Sequence, residues 1–203
     1  ETKQVEQQGK VQVEQERVEE LSGLAKLSQA AGVIQEPKEL FTRLVETIVP
    51  LFDVEMVGFL LYQEAENLLA GQVPFQGLPS NVVAVYRSVI QPGGEAENIL
   101  KDQRPILSMD APADPSMRAL GLHDIAQLAS VRELALIPLI SGERLVGYLQ
   151  LSNHRNGLTP FSVEELRLAN VVAGQAAIII DNALLVQDAR QRGQRSESLR
   201  RIA

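Results

Sequence analysis

Apolar and polar positions recur along the chain with two periods, which predict a mixture of helices and strands. Apolar residues three and four apart indicate amphipathic helices, whereas short runs rich in Val, Leu and Ile indicate strands. These patterns predict helices over residues 38–49, 81–89, 117–128 and from Ser162 onward, and a short helix or turn over residues 98–103. They predict strands over residues 54–62, 67–73, 105–109, 133–140 and 145–152. The order of these elements predicts an α+β fold built on an antiparallel sheet.

The last predicted helix begins with a capping box, because Ser162 stands three residues before Glu165. From Leu166 to Leu185 it is apolar around much of its circumference. We therefore expect this helix to be buried on more than one side.

Polar helical extensions are predicted at both ends of the chain, where apolar residues recur at the spacing of a loose coiled-coil seam. The seam residues are Val11, Val18 and Leu21 near the N-terminus and Ile178, Leu185 and Leu199 near the C-terminus. We divide the chain into a linker helix over residues 1–21, a domain over residues 22–185 and a second linker helix over residues 186–203. We expect it to be a segment of a longer protein.

The predicted strand over residues 145–152 has two different faces. The residues Leu145, Gly147, Leu149 and Leu151 alternate with Val146, Tyr148, Gln150 and Ser152. With the terminal helices on one face of the sheet, the leucine set is expected beneath them. Tyr148 and Gln150 then face residues 108–128, where they could hydrogen-bond a small molecule. The alternative is that this face is solvated or closed by the protein's own loops.

The composition narrows the possible chemistry. The 203 residues include no cysteine, which excludes disulfides, thiol nucleophiles and sulfur-tethered cofactors. A formal net charge of −7 has the wrong sign for a phosphate-binding surface, so no nucleic-acid partner is expected. No uninterrupted apolar run approaches the ~20 residues that a membrane-spanning helix needs, so no membrane contact is expected.

Isolated histidines and carboxylates are the remaining candidates for chemistry. His123 lies on a predicted helix beside the presumed pocket and would either ligate a metal or haem or line the pocket rim. His154 precedes a turn pair and is predicted to be solvated, and Asp114 is predicted to cap a helix. A carboxylate-based enzyme site is the alternative, and it requires Asp110, Asp114 and Glu133 to converge in one cleft.

Four stretches of the chain resemble the GAF domain, a small-molecule sensor module of bacterial signalling proteins. They are ELFTRLVETIVPLFDVEMVGFLLY (39–62), LKDQRPILSMDAPADP (100–115), VRELALIPLISGERLVGYLQLSN (131–153) and LTPFSVEELRLANVVAGQAAIIIDNA (158–183). The third stretch is the most diagnostic, with a proline inside an apolar strand, a polar turn, and then Val146, Gly147, Tyr148 and Leu149 in order.

The resemblance implies a GAF-like fold, with the terminal helices on one face of the sheet and short helices and loops over the other. It also implies a non-catalytic sensory role in a cytoplasmic bacterial protein, with a homodimer joined through the terminal helices. A ligand-free dimerisation domain is the alternative. We expect a pocket for an unidentified ligand lined by Phe59, Leu61, Asp110, Asp114, Leu120, His123, Leu136, Tyr148 and Gln150.

The known ligands of the family are not expected here. Members that attach a bilin or reduce free methionine sulfoxide rely on cysteines, which this chain lacks. Members that bind cyclic nucleotides share an Asn-Lys, Phe and Asp-Glu pattern. The matching positions here are Asn153-His154, Phe161 and Glu164-Glu165, and the missing lysine argues against a cyclic nucleotide. Haem is not expected either.

Overall fold

The computed structural model describes residues 37–200. The helices are α1 (Pro37–Ile48), α2 (Ser80–Val85), α3 (Glu95–Asp102), α4 (Pro115–Ala119), α5 (His123–Leu128) and α6 (Val163–Arg200). The strands are β1 (Val54–Gln63), β2 (Leu68–Gly71), β3 (Arg87–Val89), β4 (Ile106–Ser108), β5 (Leu134–Ser141) and β6 (Arg144–His154). The predicted N-terminal linker helix, with Val11, Val18 and Leu21, lies outside the described residues.

The strands form one antiparallel sheet of six strands in the order β3-β2-β1-β6-β5-β4. The long strands β1 and β6 are the central pair, with Phe59 opposite Leu149 and Leu60 opposite Tyr148. The predicted α+β fold with an antiparallel sheet is confirmed.

Each face of the sheet covers its own hydrophobic core. On one face, Leu44 of α1 and Ala173 of α6 pack in the same buried cluster as Phe59 and Leu149. On the other face, residues of α4 and of the neighbouring loops pack with Leu60 and Tyr148. Successive side chains of a strand point to opposite faces, so adjacent residues of β1 enter different cores. The terminal helices therefore share one face, as predicted.

A β-bulge in β6 overturns the predicted alternation at Leu145 and Val146. Leu139 pairs with Gly147 and Ile140 pairs with Leu145, so Val146 is an extra residue on β6. Val146 consequently enters the core beneath α1 and α6, and Leu145 enters the opposite core. Gly147 has φ +157°, and a Cβ atom there would lie 2.0 Å from the carbonyl oxygen of Leu60. Only glycine fits this bulge.

Two predicted helices are shorter than expected. The helix predicted over residues 81–89 ends at Val85, and Arg87–Val89 instead forms the edge strand β3. The reason is the burial of Tyr86, whose carbonyl accepts a hydrogen bond from the Gly71 amide at 2.7 Å. The helix predicted over residues 117–128 is interrupted at Gly121, where φ is +67° and the chain leaves the helical conformation.

Helix α6 is 38 residues long and packs against the sheet through small side chains. Its buried residues include Ala169, Ala173, Ala176 and Ala177, which let the helix approach the strands closely. An ion pair between Arg144 of β6 and Asp181 fixes its middle to the sheet. By length and hydropathy alone, Val163–Arg190 could cross a membrane, a test that the core helix of a domain also passes. One side of this stretch nevertheless belongs to the domain core.

Candidate functional site

A chain of buried polar groups crosses the sheet face that α4 and α5 cover. The Tyr86 hydroxyl donates to Oε1 of Gln150 at 2.6 Å, and Nε2 of Gln150 donates to the Ser152 hydroxyl at 3.0 Å. Gln150 and Ser152 are fully buried, and burial raises the pKa of the Tyr86 hydroxyl, which therefore stays neutral. These three side chains satisfy one another without a ligand.

The hydroxyl of Tyr148, on the same face, has no hydrogen-bond partner although the residue is fully buried. Burial also raises the pKa of this hydroxyl. Buried polar groups in native proteins are nearly always paired with protein, water or ligand. The Tyr148 hydroxyl is therefore a buried polar group without a protein partner, as is Nδ1 of His123.

The predicted pocket residues are divided between the two faces of the sheet. Leu120 and Leu136 are fully buried in the same core as Tyr148. Phe59 and Leu61 were placed wrongly, because both point into the core beneath α1 and α6. The prediction chose the wrong set of alternating residues in β1. Leu60, which lies between Phe59 and Leu61, pairs with Tyr148 and points into the same core.

Two polar residues predicted for the pocket, Asp110 and Asp114, are engaged locally, whereas His123 is not fully paired. Asp114 caps α4 as predicted, since its Oδ1 accepts hydrogen bonds from the amides of Ser116 at 2.8 Å and Met117 at 3.3 Å. Asp110 is exposed and accepts a hydrogen bond from the Ala113 amide. His123 begins α5 and is half-buried, and its Nδ1 atom is buried without a partner.

The three carboxylates of the alternative enzyme site have separate partners. Asp110 and Asp114 order their own turns, whereas Glu133 is fully buried against His154. Within residues 37–200, no group of three or more His, Asp or Glu residues is arranged to hold a metal ion.

Sequence reasoning missed a cluster formed by Glu133, His154 and Glu165. His154 was predicted to be solvated, but it is only 6% exposed. Its Nε2 atom lies 3.1 Å from Oε1 of Glu165, and its Nδ1 atom lies 3.3 Å from Oε1 of Glu133. The available signal was Glu133 itself, an acidic residue directly before an apolar strand. The sequence does not indicate that His154 is its partner, because the two residues meet only when β5 pairs with β6.

A cleft of about 470 Å³ opens between α3 and the turn that joins β5 to β6. Its lining combines apolar residues with charges of both signs. The lining residues are Tyr62, Glu64, Glu97, Leu100, Lys101, Gln103, Glu143, Arg144 and Leu145. Because Arg144 also pairs with Asp181, this cleft shares a residue with the contact that fixes α6 to the sheet.

Helix α6 carries an apolar stripe on the side turned away from the sheet. The stripe consists of Val171, Ile178 and Leu185, which are 46%, 45% and 56% exposed. These residues are seven apart, so they stand on one side of the helix, with the exposed Gln175 and Asn182 between them. Two of them, Ile178 and Leu185, were predicted as seam residues. The helical backbone includes Leu199, the third predicted position.

Comparison with known proteins gives a family match over most of the chain. The family model for the GAF domain matches residues 35–181. No curated protein matches the chain.

Solved structures with the same fold come from several kinds of bacterial protein. The GAF domain of a phosphoenolpyruvate-protein phosphotransferase from Coxiella burnetii is 19% identical, with a TM-score of 0.60 over 88% of this chain and 98% of that chain. A domain of a putative two-component sensor histidine kinase from Sinorhizobium meliloti is 20% identical, with a TM-score of 0.52 over 84% of this chain and 100% of that chain.

An enzyme also shares the architecture. Free methionine-R-sulfoxide reductase from Neisseria meningitidis is 18% identical, with a TM-score of 0.58 over 86% of this chain and 93% of that chain. At these identities the structural likeness concerns the fold alone. The family match over residues 35–181, together with this fold, shows that the chain belongs to the GAF domain family.

Proposed function

We propose that this GAF domain is a non-catalytic regulatory module of a longer cytoplasmic bacterial signalling protein, and that it acts as a homodimer joined along α6. The stripe of Val171, Ile178 and Leu185 carries the proposal. A helix that is buried on one side and exposes apolar residues at heptad spacing on the other is typical of a helix with two packing partners. The domain core is one partner, and α6 of a second copy is the other.

The length of α6 supports a role in signal transfer. The helix leaves the domain core and continues without interruption to Arg200, so a shift at its packed half reaches its distal half as a rigid displacement. A ligand or partner can drive such a shift only if it binds one arrangement more tightly than the other. A sensor histidine kinase domain and a methyl-accepting chemotaxis protein segment are among the solved structures with this fold.

The unpartnered Tyr148 hydroxyl supports a ligand-binding role for the core covered by α4 and α5. A second candidate, a ligand-free dimerisation domain, is favoured by the chain Tyr86–Gln150–Ser152, whose polar atoms are satisfied internally. A thermal-shift screen with nucleotides, amino acids and haem separates the two candidates. A ligand that raises Tm for the wild type but not for Tyr148→Phe supports the sensor, and no ligand-induced rise supports the dimerisation domain.

The non-catalytic part of the proposal is supported by the chemistry of the side chains. The chain has no cysteine, and the carboxylates considered for an enzyme site serve as caps or ion-pair partners. The formal net charge of −7 supports the absence of a nucleic-acid partner. The burial of one side of α6 in the domain core supports the absence of membrane contact by this segment.

Light scattering tests the dimer directly. We expect the wild-type chain to have the mass of a dimer at micromolar concentrations and Ile178→Glu to have the mass of a monomer with unchanged helix content. Leu158→Glu is the matched control, because Leu158 is an exposed leucine, at 57%, outside α6. This control variant should remain dimeric. A monomeric wild type, or a dimeric Ile178→Glu, would overturn the proposed interface.

A further inference from the structure

His154 is held between two carboxylates that belong to different parts of the fold. Glu133 precedes β5 and is fully buried, and its Oε1 atom accepts a hydrogen bond from the His154 amide. The same oxygen lies 3.3 Å from Nδ1 of His154, an ion-pair distance without hydrogen-bond geometry. On the other side of the ring, Nε2 lies 3.1 Å from Oε1 of Glu165 in the first turn of α6.

Glu165 is also the residue that organises the start of α6. Its Oε2 atom accepts hydrogen bonds from the amide of Ser162 at 2.7 Å and from the hydroxyl of Ser162 at 2.6 Å. Its own amide donates to the Ser162 hydroxyl, which completes the capping box. One carboxylate oxygen of Glu165 thus forms the helix cap, and the other contacts His154 at the end of β6.

The number of protons on the imidazole decides how many carboxylates it can bind. The imidazolium ion has a proton on both ring nitrogens, so it donates to Glu165 from Nε2 and places its positive charge beside Glu133 at Nδ1. The neutral ring donates from one nitrogen only, and its other nitrogen presents a lone pair to a carboxylate oxygen. In either neutral tautomer, the lone pair of one ring nitrogen therefore faces a carboxylate oxygen, which is a repulsive contact.

We propose that His154 is a proton-dependent link between the sheet and α6, in which the imidazolium holds the first turn of α6 against the end of β6 and loss of the proton weakens this contact. The link deepens the proposed function, because α6 is the element to which that function assigns signal transfer. Histidine is the side chain whose charge ordinarily changes between about pH 5 and pH 8, and this range sets the conditions of the test.

The other charged groups around the ring are paired with residues other than His154. Arg132 lies 3.7 Å from Oε2 of Glu133 and 3.9 Å from Oε1 of Glu55 on β1, so it is shared between two carboxylates. Arg155, the next residue, is turned away to the Val54 carbonyl and to Asp53. From α6, Glu164 pairs with Arg167 and not with the ring. Phe161 closes the site, with its ring centroid 4.4 Å from that of His154.

Hydrogen exchange at the start of α6 tests this link without reference to dimerisation. We expect the opening equilibrium of residues 165–168, corrected for intrinsic exchange, to rise about tenfold between pH 5 and pH 8, as the loss of a charged hydrogen bond implies. His154→Gln should remove this dependence. The control is His123→Gln, which replaces the only other histidine of the chain and should leave the dependence intact.

Wild-type nuclear magnetic resonance spectra provide a second measurement that needs no variant to fold. The amide shifts of Ser162 and Glu165 should follow the titration of the His154 ring nitrogens with the same midpoint. Constant protection of residues 165–168 across this pH range, or a pH dependence that persists in His154→Gln, would overturn the proposal. A monomeric protein that retains the pH dependence would contradict the proposed dimer and leave the link supported.

Discussion

The hydroxyl of Tyr86 lies 2.6 Å from Oε1 of Gln150, and this buried contact joins two residues 64 positions apart in the sequence. Gln150 is in the central strand β6, whereas Tyr86 lies in the turn between α2 and the edge strand β3. The contact therefore ties the segment between α2 and β3, at the edge of the sheet, to the central strand β6.

Tyr86→Phe should lower the free energy of unfolding by about 1–3 kcal/mol, because Oε1 of Gln150 is then buried without a donor. Urea unfolding at neutral pH measures this loss. Tyr62→Phe is the matched control: the Tyr62 hydroxyl donates to Asn67 at 3.1 Å in a half-buried position, so its removal should have a smaller effect. Equal losses in the two variants would contradict a structural role for the Tyr86 hydroxyl.

Tyr148→Phe should behave differently, because the Tyr148 hydroxyl has no partner to lose. We expect the free energy of unfolding to change by less than about 0.5 kcal/mol or to increase, since the variant removes an unsatisfied buried group. The same urea titration measures it. A loss as large as that of Tyr86→Phe would contradict an unpartnered Tyr148 hydroxyl.

Gly147→Ala should destabilise the domain by at least about 2 kcal/mol, because the new Cβ atom collides with backbone and not with a flexible side chain. Gly142→Ala is the control at the adjacent turn. Gly142 also has a positive φ, +62°, but a Cβ atom there has open space, so only the backbone conformation is strained, at about 1 kcal/mol. Thermal or urea unfolding measures both variants. Equal losses of stability in Gly147→Ala and Gly142→Ala would contradict the bulge geometry.

Acid unfolding should depend on Glu165. Burial opposes ionisation of this carboxyl, but the hydrogen bonds from Ser162 and His154 hold its pKa below the ordinary value of 4.5. Its ionised form therefore stabilises the fold above that value, and the stabilisation is lost as the pH falls through the lowered pKa. Glu165→Gln should show a shallower loss of stability on acidification. Glu164→Gln, at the exposed neighbouring residue, should lose stability on acidification as the wild type does. A shallower loss in Glu164→Gln than in Glu165→Gln would contradict this account.

Local sequence signals predicted the elements that depend on neighbours in the chain. The capping box of Ser162 and Glu165 marked the start of α6, and Asp114 marked the start of α4. The alternation over Tyr148 and Gln150 gave the correct face of β6, because strand phase is a property of adjacent residues. The family resemblance supplied the arrangement of helices on the two faces.

The features that sequence reasoning missed depend on distant residues. The bulge at Val146 places Leu145 and Val146 on the opposite faces from those predicted. This bulge becomes visible only in the pairing of β6 with β5. Phe59 and Leu61 were assigned to the wrong face because their strand is buried on both sides and shows no alternation of polar and apolar residues. The cluster around His154 likewise appears only when β5, β6 and α6 are brought together.

Cysteine cross-linking at Ile178 is the most direct test of the proposed dimer, because the chain contains no cysteine of its own. If two α6 helices pack in parallel along the stripe, Ile178→Cys residues of two copies lie within disulfide reach, roughly 4.4–6.8 Å between Cα atoms. Mild oxidation should then convert Ile178→Cys rapidly to a covalent dimer, while Leu158→Cys stays largely monomeric on denaturing gels. Cross-linking of Ile178→Cys that is no faster than that of Leu158→Cys would contradict the account.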